Sequence, residues 1–289
     1  MLFSNEKQTR WQVIRNCEEL NSTADDFAPT FDKYRNILYF NSDISGYSMF
    51  YQTRFNDSTT FETPKLTKGD LNQPYNNQCC ISIFSENEAY YQNYRRTKSY
   101  PVINIYKLSY SKNSWSNPYI IDSLKSDNYS AFPAVSADGK YLVFSSTRNS
   151  DNNDIDLFIA YRLNDGSWSI PIAIDELNSP GNEITPFIAG NDTLYFSSDG
   201  QEGPGRYDIY YSVRNGSQWQ RPLPLSSLNT EFDETDFKII DAENALFCSD
   251  RVGGKGKSDI YLAKIEQIDK PKIESEDLEI SIQAQTLTF

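Results

Sequence analysis

The sequence predicts an all-β fold, a six-bladed β-propeller whose blades are four-stranded antiparallel sheets. Two recurring features lead to this class. Short aromatic runs occupy one slot that recurs every 51 to 53 residues, ending at Phe40, Tyr91, Phe144, Phe196 and Cys248. A second slot holds one large aromatic ring per repeat, at Trp11, Phe61, Trp115, Trp168 and Trp219. A repeat of this length, built from short strands, is typical of radial propellers.

Each repeat predicts four strands in a fixed order. An acidic or Asn/Ser-rich loop leads into strand A, a turn with Gly or Asp follows, and the aromatic run forms strand B. After a polar loop, strand C is marked by runs such as Asp208–Tyr211 and Asp259–Leu262. Strand D carries the Trp or Phe, which we expect to pack between neighbouring blades.

The number of blades depends on how the two ends of the chain are assigned. Trp11, the first strand D marker, precedes every strand B, while the last strand C, at Asp259, has no Trp after it. We therefore predict a single propeller over residues 1–289, with blade six formed from about residues 1–17 and 266–289. The alternative is a five-bladed ring followed by a free tail. Pairing both termini in one blade would remove the open edges of the ring.

Both end segments carry patterns that favour the sixth blade. Met1–Ser4 precedes Trp11 by the distance that separates strands C and D elsewhere. Residues 277–282 alternate like a strand A, and Thr286–Phe289 resembles strand B. The N-terminal residues lack the basic start and apolar stretch of a signal peptide.

The charge and hydropathy of the chain exclude two classes of partner. The net charge is −13, and a uniformly acidic surface repels phosphate backbones, so we predict no nucleic-acid binding. A basic protein or a cation is the electrically favoured partner. No run approaches the roughly 18 apolar residues of a membrane-spanning helix.

Histidine is absent, which removes the commonest general base and the commonest metal ligand. The four cysteines, including the adjacent Cys79 and Cys80, match no zinc or redox spacing. We expect these two neighbours to point to opposite faces of a strand. We predict no cofactor and no metal site. The oxygen-rich run Asp151–Asp156 is the one weak indication of Ca²⁺ binding, and such a run is more often a solvated turn.

Two motifs resemble a known family of repeats. Ser249–Tyr261 and Ser136–Arg148 are similar to the WD-like propeller repeat of the TolB type, which runs through S-x-D-G-K, L-x-F-S-S-D-R, a Gly-rich loop and D-I-Y. The resemblance is strong over residues 128–265. Gln92–Arg96 departs from it most. Leu228–Glu234 looks like the connector that joins such propellers to OmpA-like domains. The resemblance implies a periplasmic or outer-membrane-associated protein that binds other proteins.

Charged residues recur at the same phase of several repeats. Because a residue that follows the repeat is most often structural, the Ser-Asp-Arg run is expected to cap the turn between strands B and C. The loops that precede strand A are predicted to form an acidic mouth on the propeller axis, from Asp26, Glu183, Glu234 and Glu276. The loops between strands B and C are predicted to form a more basic rim, from Arg148, Arg206 and Arg251.

These observations predict a non-enzymatic scaffold of the cell envelope that binds a protein or peptide on the loop-rich face, with no catalytic residue. One alternative is a carbohydrate-active enzyme that uses carboxylates in the channel, with Asp26, Glu183 and Glu234 as candidates. Another is a glycan-binding surface module. Its candidate aromatic rings are Tyr47, Tyr94, Tyr100 and Tyr207.

Overall fold

The structure, a computed structural model, describes residues 7–57, 59–73, 77–96, 101–148 and 154–269. These residues form a ring of five antiparallel sheets, which we number as blades 1 to 5. The predicted propeller of four-stranded antiparallel blades is therefore confirmed. The count of six blades is wrong, and the five-bladed alternative is correct. Within the described ranges, no helix is long and apolar enough to cross a membrane.

The strands follow one another blade by blade. The chain first forms β1 (Lys7–Asn16). Blade 1 then contains β2 (Asp26–Asp32), β3 (Ile37–Ser42), β4 (Met49–Thr53) and β5 (Lys65–Leu66). Blade 2 contains β6 (Gln78–Ser85), β7 (Glu88–Arg96), β8 (Pro101–Ser111) and β9 (Ser114–Ile120). A short 3₁₀ helix (Asp122–Leu124) leads into the next blade.

Blades 3 to 5 repeat this order, with the first strand of each blade nearest the axis. Blade 3 contains β10 (Ser130–Val135), β11 (Tyr141–Ser146), β12 (Asp156–Tyr161) and β13 (Ile172–Ala173). Blade 4 contains β14 (Glu183–Ala189), β15 (Thr193–Ser198), β16 (Asp208–Asn215), β17 (Gln218–Trp219) and β18 (Leu223–Pro224). Blade 5 contains β19 (Glu234–Ile239), β20 (Asn244–Ser249) and β21 (Asp259–Asp269).

The N-terminal strand closes the ring and explains why the count of six fails. β1 pairs antiparallel with β21, which places Trp11 opposite Ile265. The strand D that contains Trp11 and the strand C that begins at Asp259 therefore belong to the same blade, blade 5. One N-terminal strand is enough to close the ring. The other segments assigned to blade six, Met1–Ser4 and residues 277–289, lie outside the described residues.

The aromatic rings of strand D pack as the sequence predicts. All five are buried, with exposed fractions between 2% and 7%. Trp168 of blade 3 lies edge-on to Tyr90 of blade 2, with centroids 5.8 Å apart. Trp219 of blade 4 lies edge-on to Tyr141 of blade 3 at 6.3 Å. Each of these rings therefore fills the space between two blades, where a large apolar surface is removed from water.

Every inner strand carries a β-bulge at the same position. The pairing of each inner strand with its neighbour shifts register there. One residue per bulge has a left-handed φ between 52° and 63°, namely Ala28, Cys80, Phe132, Thr185 and Asp236. Side chains alternate between faces only in a regular strand, so a bulge can direct two successive side chains to the same side. In blade 5 the bulge brings the side chains of Thr235 and Asp236 to the same side, since the Thr235 hydroxyl donates to Asp236 Oδ2 at 3.0 Å.

Candidate functional site

A channel runs along the axis between the inner strands. It is widest on the face that carries the loops before the inner strands, where the cavity measures about 710 Å³. We call this cavity the funnel. Below the funnel the channel narrows to a constriction, where the cavity volume is about 10 Å³. The bulge residues of all five blades line this constriction. A smaller mouth of about 240 Å³ opens on the opposite face.

The funnel wall is acidic and partly aromatic. Among the described residues that line it, Lys257 is the one Lys or Arg. The carboxylates that line it are Asp25, Asp43, Asp233, Asp236 and Asp250. The rings that line it are Phe27, Tyr94, Phe132 and Tyr207. Such a wall offers hydrogen-bond acceptors and flat apolar faces to one ligand.

Asp236 lies at the floor of the funnel, where the constriction begins, and is 6% exposed. Burial raises the pKa of Asp236 above its usual range, although the charge of Lys238 acts in the opposite direction. The hydrogen bond from Thr235 holds one carboxyl oxygen in place. A buried carboxyl group with a raised pKa can retain its proton nearer to neutral pH, which is the property of a general acid.

Lys238 lies two residues further along β19 and lines the constriction and the opposite mouth. Its ammonium group donates to the Pro186 carbonyl at 3.2 Å and lies 5.2 Å from the centre of the Phe187 ring. Burial lowers the pKa of Lys238. Blade 5 therefore places a carboxyl group and an amine along the same stretch of channel.

A second group of carboxylates lies on the funnel rim. The Asp43 amide donates to the Asp25 carbonyl at 3.0 Å, which places these two residues side by side. Burial, and then the charge of Asp25, raise the pKa of Asp43. Across the rim, Asp233 Oδ1 accepts the Tyr207 amide at 3.0 Å, and the Asp233 amide donates to Asp250 Oδ1 at 2.8 Å.

The carboxylates predicted for the acidic mouth do not line the funnel. Asp26, Glu183 and Glu234 are each 0% exposed. Glu234 accepts hydrogen bonds from the Thr230 amide and hydroxyl, both at 2.6 Å, and from the Ser249 hydroxyl at 2.8 Å. These carboxylates therefore anchor the loops that precede the inner strands of blades 1, 4 and 5. Glu276 lies outside the described residues.

Asp26 and Glu183 occupy the same slot in blades 1 and 4. The Ser22 amide donates to Asp26 Oδ2 at 2.5 Å. Glu183 accepts the Ser179 amide at 3.0 Å and the Ser198 hydroxyl at 2.6 Å. Burial raises the pKa of both carboxyl groups. The structure thus distributes the predicted residues around the ring and does not bring them together at one site.

The residue that precedes this slot reaches the neighbouring blade. Asp25 Oδ1 accepts the Ser258 amide at 3.2 Å, and Asn77 Oδ1 accepts the Ser48 amide at 3.1 Å. Asp25 and Asn77 both line the funnel, and so does Asp233 in blade 5. The sequence therefore identified the correct loops, but in blades 1 and 5 the loop carboxylates that line the funnel, Asp25 and Asp233, are one residue before the predicted ones.

Two of the predicted rim arginines stabilise the turn between strands B and C. The Arg251 guanidinium donates to the Leu228 carbonyl at 3.1 Å and to Glu234 at 2.9 Å, and lies 5.1 Å from the Phe247 ring centre. In blade 3, Arg148 likewise donates to the Leu124 carbonyl and lies 4.9 Å from the Phe144 ring centre. Where Arg251 meets Glu234, Arg148 donates instead to the Ser130 hydroxyl at 3.0 Å. Burial lowers the pKa of Arg148 to about 10.

Arg206 differs from these arginines because it is exposed and lies 4.8 Å from the centre of the Tyr207 ring at the edge of the funnel. Of the tyrosines predicted for glycan binding, Tyr94 and Tyr207 line the funnel. Tyr47 is exposed outside the funnel lining, and Tyr100 lies outside the described residues.

Asp236, which sequence reasoning missed, breaks the repeat. The slot of Asp236 holds Ala28, Cys80, Phe132 and Thr185 in the other blades, so its charge is an exception that the aligned repeats could have revealed. In the described parts of the chain, no group of three or more Cys, Asp or Glu residues is arranged to hold a metal ion. Residues 151–153 of the oxygen-rich run lie outside those parts.

Comparison with known proteins identifies the fold. No protein-family model and no curated protein sequence match the chain. A family-43 endo-arabinanase from Bacillus licheniformis is similar in structure, with a TM-score of 0.56, 15% identity, and coverage of 84% of this chain and 96% of that one. An endo-arabinase from Bacteroides thetaiotaomicron has a TM-score of 0.54 and 15% identity, covering 88% and 98% of the two chains.

TolB propellers are also among the similar structures. A putative TolB from Agrobacterium tumefaciens has a TM-score of 0.49 and 12% identity, covering 90% of this chain and 99% of that one. The likeness to the endo-arabinanase and the endo-arabinase, at 15% identity, shows the propeller fold alone. The closer kinship to TolB repeats stays a prediction.

The prediction that the chain is not an enzyme is contradicted by this comparison. Several of the similar structures are family-43 glycoside hydrolases, so a propeller of this shape supports catalysis in other proteins. The prediction gave too much weight to the absence of histidine. Hydrolysis of glycosides depends on carboxyl groups, of which this chain has many.

Proposed function

We propose that this protein is carbohydrate-active, and that its funnel binds a glycan whose glycosidic bond is hydrolysed at Asp236. The observation that carries the proposal is the position of Asp236, a buried carboxyl group with a raised pKa at the floor of an open, acidic and aromatic cavity. Perturbed carboxyl groups in clefts are candidates for general acids.

The shape and lining of the funnel support a sugar ligand. Its volume of about 710 Å³ is in the range of small-molecule sites. Tyr94 and Phe132 provide flat apolar surfaces on which the C–H face of a sugar ring can stack. Asp25 and Asp233 provide acceptors for sugar hydroxyl groups.

Hydrolysis of a glycoside requires two carboxyl groups with different protonation states. Asp236 would donate its proton to the oxygen of the leaving sugar. A carboxylate of the rim would take a proton from the water that attacks the anomeric carbon on the opposite side of the ring. Asp25 and Asp233 are the candidates for this role, because both line the funnel and each is held in place by a backbone N–H that donates to its Oδ1.

The test is hydrolysis of a panel of para-nitrophenyl pentosides and hexosides, together with arabinan and xylan, by the unmodified chain and by D236N. We expect nitrophenolate release on at least one probe, and a loss of roughly 10²–10⁴-fold in D236N at an unchanged melting temperature. E231Q is the matched control, because Glu231 is an exposed carboxylate on the loop before the same strand. No hydrolysis of any probe, or full activity in D236N, would overturn the proposal.

A second candidate function follows from the charge of the funnel. In the part of the funnel wall that the structure describes, five carboxylates and one lysine favour the basic tip of a protein or peptide partner, as in a scaffold of the cell envelope. A location in the periplasm or at the outer membrane is proposed together with this candidate. A fluorescent tetralysine peptide should bind, and its affinity should fall with added salt and in the double variant D25N/D233N. A tetraglutamate peptide is the control, and equal binding of the two peptides would exclude this candidate.

A further inference from the structure

The wall of the channel in blade 2 contains two adjacent thiols. Cys79 lines the funnel, Cys80 lines the constriction directly beneath it, and each is 7% exposed. Both thiols are free. They break the repeat, because the same two positions hold Phe27 and Ala28 in blade 1.

The β-bulge brings these side chains together. A regular strand would direct them to opposite faces, which is what the sequence predicts, and this expectation is wrong. Cys80 has a left-handed φ of 63°, and the pairing of β6 with β7 shifts register after Cys79. In the equivalent bulge of blade 5, Thr235 and Asp236 contact each other through their side chains at 3.0 Å.

The surroundings of the pair are apolar on one side and open on the other. Both cysteines pack with Ala28, Phe27 and Phe132 in one small cluster. The Cys80 amide donates to Asn41 Oδ1 at 3.2 Å, which fixes the backbone between the two thiols. Burial, and then a hydrogen bond with the Cys79 thiol, raise the pKa of Cys80. The two sulfurs are therefore neighbours, and Cys79 faces the cavity through which a small reagent would enter.

We propose that Cys79 and Cys80 form a vicinal dithiol site that binds one soft trivalent metalloid of the arsenic(III) class. With an aryl arsenoxide, two S–H bonds and the arsenic–oxygen bond break, two arsenic–sulfur bonds form, and the oxygen leaves as water with both protons. No oxidant or reductant is required. The aryl group fills the third position on arsenic, so two protein ligands are sufficient.

The chain provides its own controls for this site. Cys17 and Cys248 are 0% exposed and belong to the core around blades 1 and 5, outside the funnel lining. The substitutions C79T and C80A introduce residues that already occupy the same positions of the bulge, Thr235 in blade 5 and Ala28 in blade 1. They should preserve the local backbone.

The experiment is incubation of the folded chain with phenylarsine oxide, followed by intact mass spectrometry. We expect one adduct that survives excess mercaptoethanol and is removed by dimercaptopropanol. Loss of either thiol, in C79T or C80A, should weaken retention by roughly a hundredfold or more, because the second bond is then no longer intramolecular. C17S and C248S should retain the adduct.

Two results would overturn the proposal. One is an adduct that persists in C79T or C80A, which would place the arsenic elsewhere. The other is an adduct that forms only after denaturation in urea, which would mean that the folded channel does not present the two thiols together. Circular dichroism of each variant shows whether the fold is retained, so a loss of binding can be assigned to the missing thiol.

Discussion

Two kinds of carboxylate lie within two residues of each other at the start of the inner strands, and they differ in whether they recur in several blades and in what they face. Asp26, Glu183 and Glu234 recur with the repeat, are fully buried, and bond to the loop of their own blade. Asp236 occurs in one blade only and faces the funnel. Their positions in the sequence barely differ. What separates Asp236 from the anchoring carboxylates is that no other blade has a carboxylate in its slot.

The difference has a physical origin. Every blade has the same loop to anchor, so a side chain that satisfies buried backbone donors is useful in each of them, and Ser or Thr supplies the donor at Ser22, Ser179 and Thr230. The channel on the axis, in contrast, is one site shared by all blades. A ligand bound there needs a given chemical group from one blade only, so that residue does not recur. In a propeller, a charged residue that breaks the repeat is therefore the better candidate for function.

The largest expected effect tests the anchoring carboxylates. E234A removes four hydrogen bonds and leaves the Arg251 guanidinium, which is 17% exposed, without its charged partner. We expect the free energy of unfolding to fall by about 3 kcal/mol, because breaking one member of a buried pair leaves an uncompensated charge. Urea denaturation measures this change. E231A, on the exposed part of the same loop, is the control, and an equal loss in both variants would contradict the assignment.

The next effect concerns pH. Burial raises the pKa of Asp208 to about 6, and this carboxylate also follows the repeat, in the D-I-Y run. Because the folded pKa exceeds the unfolded value, its contribution to stability is fully present below about pH 4 and is lost as the pH rises through 6. We expect the free energy of unfolding of the unmodified chain to fall by roughly 2 kcal/mol relative to D208N over this interval, allowing for solvent screening. A difference that is constant with pH would contradict the raised pKa.

The smallest expected effect tests the funnel wall and rests on the proposed carbohydrate function. Y94A removes one aromatic face and should weaken binding of a glycan by about 1 kcal/mol, or roughly fivefold. Isothermal titration with the best substrate from the glycoside panel measures it. Y119A removes an exposed ring from the outer strand β9, so its affinity should match that of the unmodified chain. Equal weakening in both variants would argue against ligand stacking in the funnel.

The sequence by itself determined the class of fold and most of the strands. The period of about 52 residues, the aromatic run in strand B and the ring in strand D record local pairing and packing that each blade repeats, so they are readable without coordinates. The same logic correctly placed Trp168 and Trp219 in the core between blades.

Tertiary structure decided what the repeat alone could not. Whether Trp11 belongs to a fifth or a sixth blade depends on the partner of its strand, and β21 lies some 250 positions away in sequence. Whether Asp25 or Asp26 reaches the axis, and whether Cys79 and Cys80 share a face, depends on where each strand begins and on one left-handed residue in its bulge. A shift of a single residue exchanges the two faces of a strand, so the fold is visible in the sequence while the channel wall is fixed only by the backbone.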